Sequence, residues 1–197
     1  GSRADLLSFI KNRFDELAPG GVWVNRDVVG PENKEELVLM KLNDADGRND
    51  DFEKKFSSRE ELAAYLRGLS TLGRFKRFAQ DFRKKEGYRF GYKTITQNGA
   101  AYFKLKLRDA CEFMSRKDYV DNWESEMHET FCFWDFEEWK TNLTAAGFTI
   151  TSSSNAYTND WIVNNRLVGK VELLKADGSL EKLPYPVTNM IIIAERT

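Results

Sequence analysis

His128 is the only histidine in the chain. It is also the only side chain whose ordinary titration lies near neutrality. Glu124, Glu126 and Glu129 surround it, and a carboxylate can orient an imidazole as a general base toward a substrate oxygen or nitrogen. More often such a histidine is a helix-end surface residue. A second set is basic: Arg74, Lys76, Arg77, Arg83, Lys84, Lys85, Arg89 and Lys93, interleaved with Phe75, Phe78, Phe82, Tyr88 and Tyr92. Cationic side chains neutralise phosphates, and exposed rings stack on bases. Phosphate binding through Arg74, Arg77, Arg83, Lys84 and Lys85 is one reading, with a small phosphorylated molecule or a nucleic acid as ligand. The other reading puts the phenylalanines at core spacing and the charges on a solvated face. A third set is polar: Asn25, Arg26 and Asp27 toward the carboxyl end of a strand, then Tyr157, Asn159, Trp161 and Asn189. Their amide, guanidinium, hydroxyl and indole groups suit a polar substrate. The alternatives are a local ion pair at the strand end and a turn capped by Asn159 or Asp160. Tyr119, Trp123, Phe131, Phe133 and Trp134 either wall an apolar pocket or fill a core.

The chain has 197 residues, 41% of them apolar and 13% aromatic, which is enough for a sizeable core and excludes wholesale disorder. Thirty basic side chains nearly cancel 31 acidic ones, so the net charge of -1 gives no global attraction to nucleic acid or anionic membrane. Two cysteines and one histidine exclude a disulfide scaffold and multi-histidine or four-cysteine metal sites, so no metal is expected. The cysteine count fits a reducing cytosol, and a cytoplasmic location is expected. No apolar run reaches the roughly 18 residues of a membrane span, and no signal-peptide pattern opens the chain. Gly1-Ser2 reads as a vector scar with helical periodicity directly after it, so the expectation is a truncated piece of a longer protein.

Leu6, Phe9, Ile10, Phe14 and Leu17 place an amphipathic helix over Asp5 to Ala18, stopped by Pro19-Gly20-Gly21. Val22 to Val29 reads as a strand, and its bulky start predicts burial on both faces. Leu37 to Met40 fits a strand or a helical turn, and 43–51 a loop. Ser58-Arg59-Glu60-Glu61 spells a capping box. Ser70 or Thr71 caps the next helix. A strand is expected at Arg89 to Thr96. Residues 103–108 alternate like a strand while 107–114 fit a helix. Ser115 is expected to cap a helix through His128. Asp135-Phe136-Glu137-Glu138 is a second capping box, whose helix ends at Gly147 before the strand Phe148 to Thr151. Asp177-Gly178 marks a hairpin between Gly169–Leu174 and Ser179–Leu183. An apolar strand, Val187 to Ala194, closes the chain.

Three of these segments together resemble the C-terminal half of a class I S-adenosylmethionine-dependent methyltransferase. Pro19-Gly20-Gly21 leading into Val22–Val29 looks like the approach to strand five. Trp134 to Trp139, continuing to Ala145-Ala146-Gly147-Phe148-Thr149-Ile150, looks like the last helix and strand six. Thr188 to Glu195 looks like strand seven. The matches cover about a third of the chain. No Gly-x-Gly-x-Gly occurs, so the family's cofactor loop and its ribose-binding acid are missing here. The stretch between strand five and the last helix is also much longer than the family's.

The resemblance implies an α/β fold: a partial Rossmann-like sheet of strands five, six and seven, with seven antiparallel between the other two. Residues 3–31 and 134–197 would form this half-domain. Residues 32–133 would be a large, mainly helical insertion shaping the acceptor side, with the hairpin as an added ribbon. It implies the acceptor-side C-terminal domain of a transferase, inactive alone, with S-adenosylmethionine held mainly by an upstream half. Ligands in such sheets sit beyond the carboxyl ends of the parallel strands. That favours Asn25, Arg26, Asp27, Tyr157, Asn159, Trp161 and Asn189 as substrate-binding residues and makes His128 an optional base. The competing functions are a non-catalytic binding module and a phosphate- or nucleic-acid-binding domain built on residues 74–93. A strand designed to be central but left at an edge predicts a dimer through Val22–Val29.

Overall fold

The computed structural model describes residues 3–50, 53–132 and 134–197. In chain order the elements are α1 (Arg3–Glu16), β1 (Val22–Val28), β2 (Leu37–Leu42), α2 (Arg59–Gly68), α3 (Thr71–Asp81), β3 (Lys93–Gln97) and β4 (Ala100–Lys106). There follow α4 (Leu107–Arg116), α5 (Trp123–Glu126), α6 (Phe136–Ala145), β5 (Phe148–Ile150), β6 (Asn155–Tyr157), β7 (Val171–Lys175) and β8 (Asn189–Arg196). The protein is mixed α/β, with two antiparallel sheets. It divides into two units. One contains Gly1–Glu32, Thr130–Asn159 and Pro186–Thr197; the other contains Asn33–Glu129 and Asp160–Tyr185. Among the described residues no helix is long and apolar enough to cross a membrane.

In the first unit β8 is the central strand. It pairs antiparallel with β1 along its whole length, from Val22 opposite Glu195 to Val28 opposite Asn189. Its other edge takes two short strands in turn: β5, with Ile150 opposite Ala194, and β6, with Asn155 opposite Ile191. The chain bulges between them, and the Ser154 hydroxyl accepts the Ile193 N–H at 2.9 Å where the ladder is interrupted. The expected pairing of the first and last strands is therefore present. Met190, Ile192 and Ala194 alternate onto one face and are fully buried with Ile10, Leu143, Trp139 and Phe148. Phe9 meets Trp23 edge-on at 5.7 Å, and Phe14 meets Phe148 at 5.1 Å, which seats α1 on that face.

Burial of β1 on both faces does not occur. Trp23 is half-buried, whereas Val22 and Val24 are 51% and 58% exposed. The physical reason is one-sided cover: α1 packs on the Trp23 face, and the side chains of period-two neighbours point the other way. Asp135 caps α6 as a complete capping box. It accepts the Glu138 N–H at 2.8 Å, and the Glu138 carboxylate accepts the Asp135 N–H at 2.9 Å.

The second unit combines helices with a sheet. It holds a four-stranded antiparallel sheet ordered β3-β4-β2-β7. The ambiguous Leu37 to Met40 is its inner strand β2, with Val38, Leu39 and Met40 buried because both faces are covered. Both readings of 103–114 are realised in succession, β4 running directly into α4. The Asp177-Gly178 hairpin is an arm of this sheet rather than a separate ribbon. β7 pairs with β2, and the return segment is tied by Lys175 N–H to Glu181 and Leu183 N–H to Leu173. The second unit thus includes 160–185, beyond the 32–133 insertion. Ser115 caps no helix. It lies inside α4, where its Oγ donates back to the Glu112 carbonyl, and residues 120–126 form only two short turns. Ser58 and Ser70 do cap α2 and α3, accepting N–H groups of Glu61 and Gly73.

Candidate functional site

At the carboxyl end of β1 the first unit gathers most of the polar residues singled out by sequence. Register decides which of them meet. Opposed residues of an antiparallel pair share a face, so Arg26, Val28, Asn189, Ile191 and Tyr157 share one side of the sheet. Asn25 and Asp27 fall on the opposite face and do not join them. Asp27 instead accepts the Val28 N–H at 2.7 Å. Arg26 Nε donates to the phenolic oxygen of Tyr157 at 3.3 Å, spanning β8. Thr188 Oγ1 donates to Asn189 Oδ1 at 2.8 Å and accepts the Asn159 N–H at 2.9 Å. Asn159 thus meets this cluster through its backbone N–H.

The groups this cluster presents are donors: the guanidinium of Arg26, the phenol O–H of Tyr157 and the amide nitrogen of Asn189, whose oxygen is already engaged. Such a set binds an oxygen-rich group, and Arg26 favours a negative one. It contains no side chain suited to accept a proton near neutrality.

Trp161 lies in the second unit. It is 61% exposed, and the Arg166 guanidinium sits 5.4 Å from its ring and 5.1 Å from that of Tyr119. Of the expected aromatic wall, Trp123 is buried in the second unit and Trp134 in the first. Phe133 lies outside the described residues.

His128 also belongs to the second unit. Its Nδ1 meets Glu86 Oε1 at 2.7 Å, so its partner comes from the α3–β3 connection and not from Glu124, Glu126 or Glu129. Burial works against the Glu86 carboxylate, but the His128 hydrogen bond and nearby charge outweigh it and hold its pKa below the ordinary value. His128, Arg77, Lys84 and Lys85 line one cavity of about 160 Å3, with Leu62, Asp81, Trp123, Glu124 and Met127. Two of the sequence's candidate sets are thereby united, a link that sequence spacing gave no means of drawing. Arg77 is committed there, to Asp81 at 2.6 Å and the Lys54 carbonyl at 2.6 Å. The Trp123 indole N–H also reaches Asp81, at 2.8 Å.

Arg74 and Arg83 do not line the cavity. Arg74 braces helix ends, donating to the Leu66 carbonyl and pairing with Asp118 at 3.0 Å. Arg83 turns the chain after α3 with a left-handed φ of 49°. The three interleaved phenylalanines are core: Phe75, Phe78 and Phe82 are all buried, Phe78 stacks on Phe82, and each of the three contacts Phe90. They cannot stack on a base. Among the described residues no group of three or more His, Cys, Asp or Glu side chains is placed to hold a metal ion.

Comparison of the chain with protein-family models, with curated proteins and with solved structures gives no match.

Proposed function

We propose that this chain is the acceptor-side part of an S-adenosylmethionine-dependent methyltransferase, a partial Rossmann-like sheet completed by a cofactor-binding half in the same polypeptide or in a partner. The observation that carries the reading is strand order. β8 lies antiparallel between β1 and β5, and those two run parallel to each other, as strands seven, five and six of that family do. The exposed Val22 and Val24 on the uncovered face of β1 support it, because bulky apolar side chains there suit a strand with further cover.

The residues present do not fit the cofactor by themselves. On this reading the cofactor loop belongs to the other half, and the glycine beyond the end of β1 offers no substitute: Gly30 packs against the Cys132 and Trp134 carbonyls, where an added Cβ would lie 2.7 Å and 3.0 Å from oxygen. Gly30 N–H is spent on the Trp134 carbonyl at 2.9 Å. The chain also lacks any Gly-x-Gly-x-Gly.

What these residues do on this reading is hold the acceptor. Arg26, Tyr157 and Asn189 fix an oxygen-rich group by donated hydrogen bonds. Methyl transfer depends on in-line alignment, so a binding cluster without a base suffices. The test is methyl transfer to candidate acids and phosphoesters by the completed enzyme, wild type against Arg26→Ala and Tyr157→Phe. Loss of acceptor affinity in both supports the role. Wild-type acceptor kinetics in both would overturn it.

A further inference from the structure

We propose that the cavity of the second unit is a binding site for the phosphoryl group of a small phosphomonoester, held by Lys84, Lys85 and His128. This goes beyond the methyltransferase reading and stands whether or not that reading holds, since every residue involved lies within the second unit.

The charge inventory points to an anion. Arg77 and Asp81 neutralise each other across 2.6 Å. Lys84 and Lys85 line the same cavity with no ion pair among the described residues. Two ammonium groups are thus held next to an apolar floor of Leu62, Trp123 and Met127, opposed there by Glu124. His128 adds a third nitrogen. With Nδ1 on Glu86, its Nε2 is the ring atom left to meet a ligand.

Geometry favours phosphoryl over carboxylate. Bidentate carboxylate recognition needs a guanidinium fork, and Arg77 has given its Nε and Nη1 to Asp81 and to the Lys54 carbonyl. Separate point-charge donors suit a tetrahedral anion. Size restricts the rest of the ligand. A cavity of about 160 Å3 is well below the ~300–1,000 Å3 of pockets that engulf whole drug-sized ligands. The floor offers no free stacking face either, since Trp123 is 2% exposed and its N–H is tied to Asp81.

The loop is also fixed before any ligand arrives. The Arg83 N–H donates to the Met127 carbonyl at 2.7 Å, pinning the lysine turn to the segment that carries His128. Glu86 and Tyr88 N–H groups both return to the Arg83 carbonyl, at 3.1 Å each. Arg83 takes a left-handed conformation that a non-glycine residue adopts only when its surroundings impose it.

Because the chain has one histidine, its imidazole proton resonances report on this cavity alone. The folded chain is titrated at neutral pH and constant ionic strength with methyl phosphate, inorganic phosphate, single-stranded RNA and, as control, chloride. The expected result is a saturable His128 shift with methyl phosphate, competed by inorganic phosphate. Lys84→Ala/Lys85→Ala should weaken it about tenfold or more. Both lysines are exposed and have no ion pair among the described residues, so the variant keeps the fold, which its unchanged methyl resonances will show. Lys104→Ala, on β4 and outside the cavity, should bind as wild type. A non-saturable shift, binding indifferent to loss of both lysines, or a shift produced only by single-stranded RNA would overturn the proposal.

Discussion

Arg26 on β1 donates to the phenol of Tyr157 on β6, joining two strands that are hydrogen-bonded not to each other but to opposite edges of β8. The contact exists because Asn189 and Ile191 bring both strands into register on one face. It is exposed, so its worth to stability is small. In the completed enzyme, Arg26→Ala should raise the acceptor KM about tenfold, the scale of one charge-assisted hydrogen bond. Cofactor affinity and melting temperature should stay near wild type. A variant with weakened cofactor binding and unchanged acceptor KM would contradict the assignment.

The outer edge of β1 predicts self-association of the isolated chain. β1 pairs only with β8 among the described residues, and Val22 and Val24 stand exposed beside the open edge. Such an edge recruits a partner strand unless blunted by charge. Light scattering over a concentration series should show a dimer that Val24→Lys returns to monomer. A monomer at all concentrations for the unaltered chain would refute this.

The capping box of α6 predicts a stability cost at one surface residue. Asp135→Ala removes the acceptor of the Glu138 N–H and should cost about 1 kcal/mol. Denaturant melts of Asp135→Ala and Asp135→Asn should differ, since Asn retains a capping oxygen. Equal losses in both would mean the cap contributes nothing.

Lys117 predicts a stability gain in mild alkali. Its burial outweighs the adjacent Asp118 carboxylate and pushes its pKa down to about 8 from 10.5. Below pH 8 folded and unfolded chains both carry the proton. Between about 8 and 10.5 the unfolded chain keeps a proton that the folded one has lost, so stability rises with pH. The full gain is on the order of 2–3 kcal/mol. Tyr88, pushed up to about 12 by burial and by Asp109, acts oppositely: above pH 10 the unfolded chain loses a proton that the folded chain keeps. Urea melts between pH 7.5 and 10 should show the rise in the wild type and not in Lys117→Met.

What the sequence disclosed depended on the range of the forces involved. The N-cap at Ser58, the capping box at Asp135, the stop at Gly147 and the hairpin at Asp177-Gly178 are local, and each stands where its residues put it; at Ser58 the box itself is incomplete, because the Glu61 carboxylate accepts from Ser57 instead. The exposed face of Val22 and Val24 was not legible, because a bulky run records what a strand can bury and not what covers it. The role of β2 depended on partners drawn from residues 100–106 and 171–175, and no property of Leu37–Met40 encodes that distance. At the sheet end, Tyr157 and Asn189 could be named but Asn25 and Asp27 could not be separated from Arg26, since only register assigns faces. The pairing of His128 with Glu86 spans 42 positions and has no local signature.

The central claim is that this chain supplies the acceptor side of a methyltransferase while another half holds the cofactor. Calorimetry with S-adenosylmethionine tests it most directly, on the 197-residue chain alone and on the polypeptide or complex that includes the proposed cofactor-binding half. The account predicts no binding heat for the first and saturable one-to-one binding for the second. Saturable binding by the chain alone, or none by either, would contradict it.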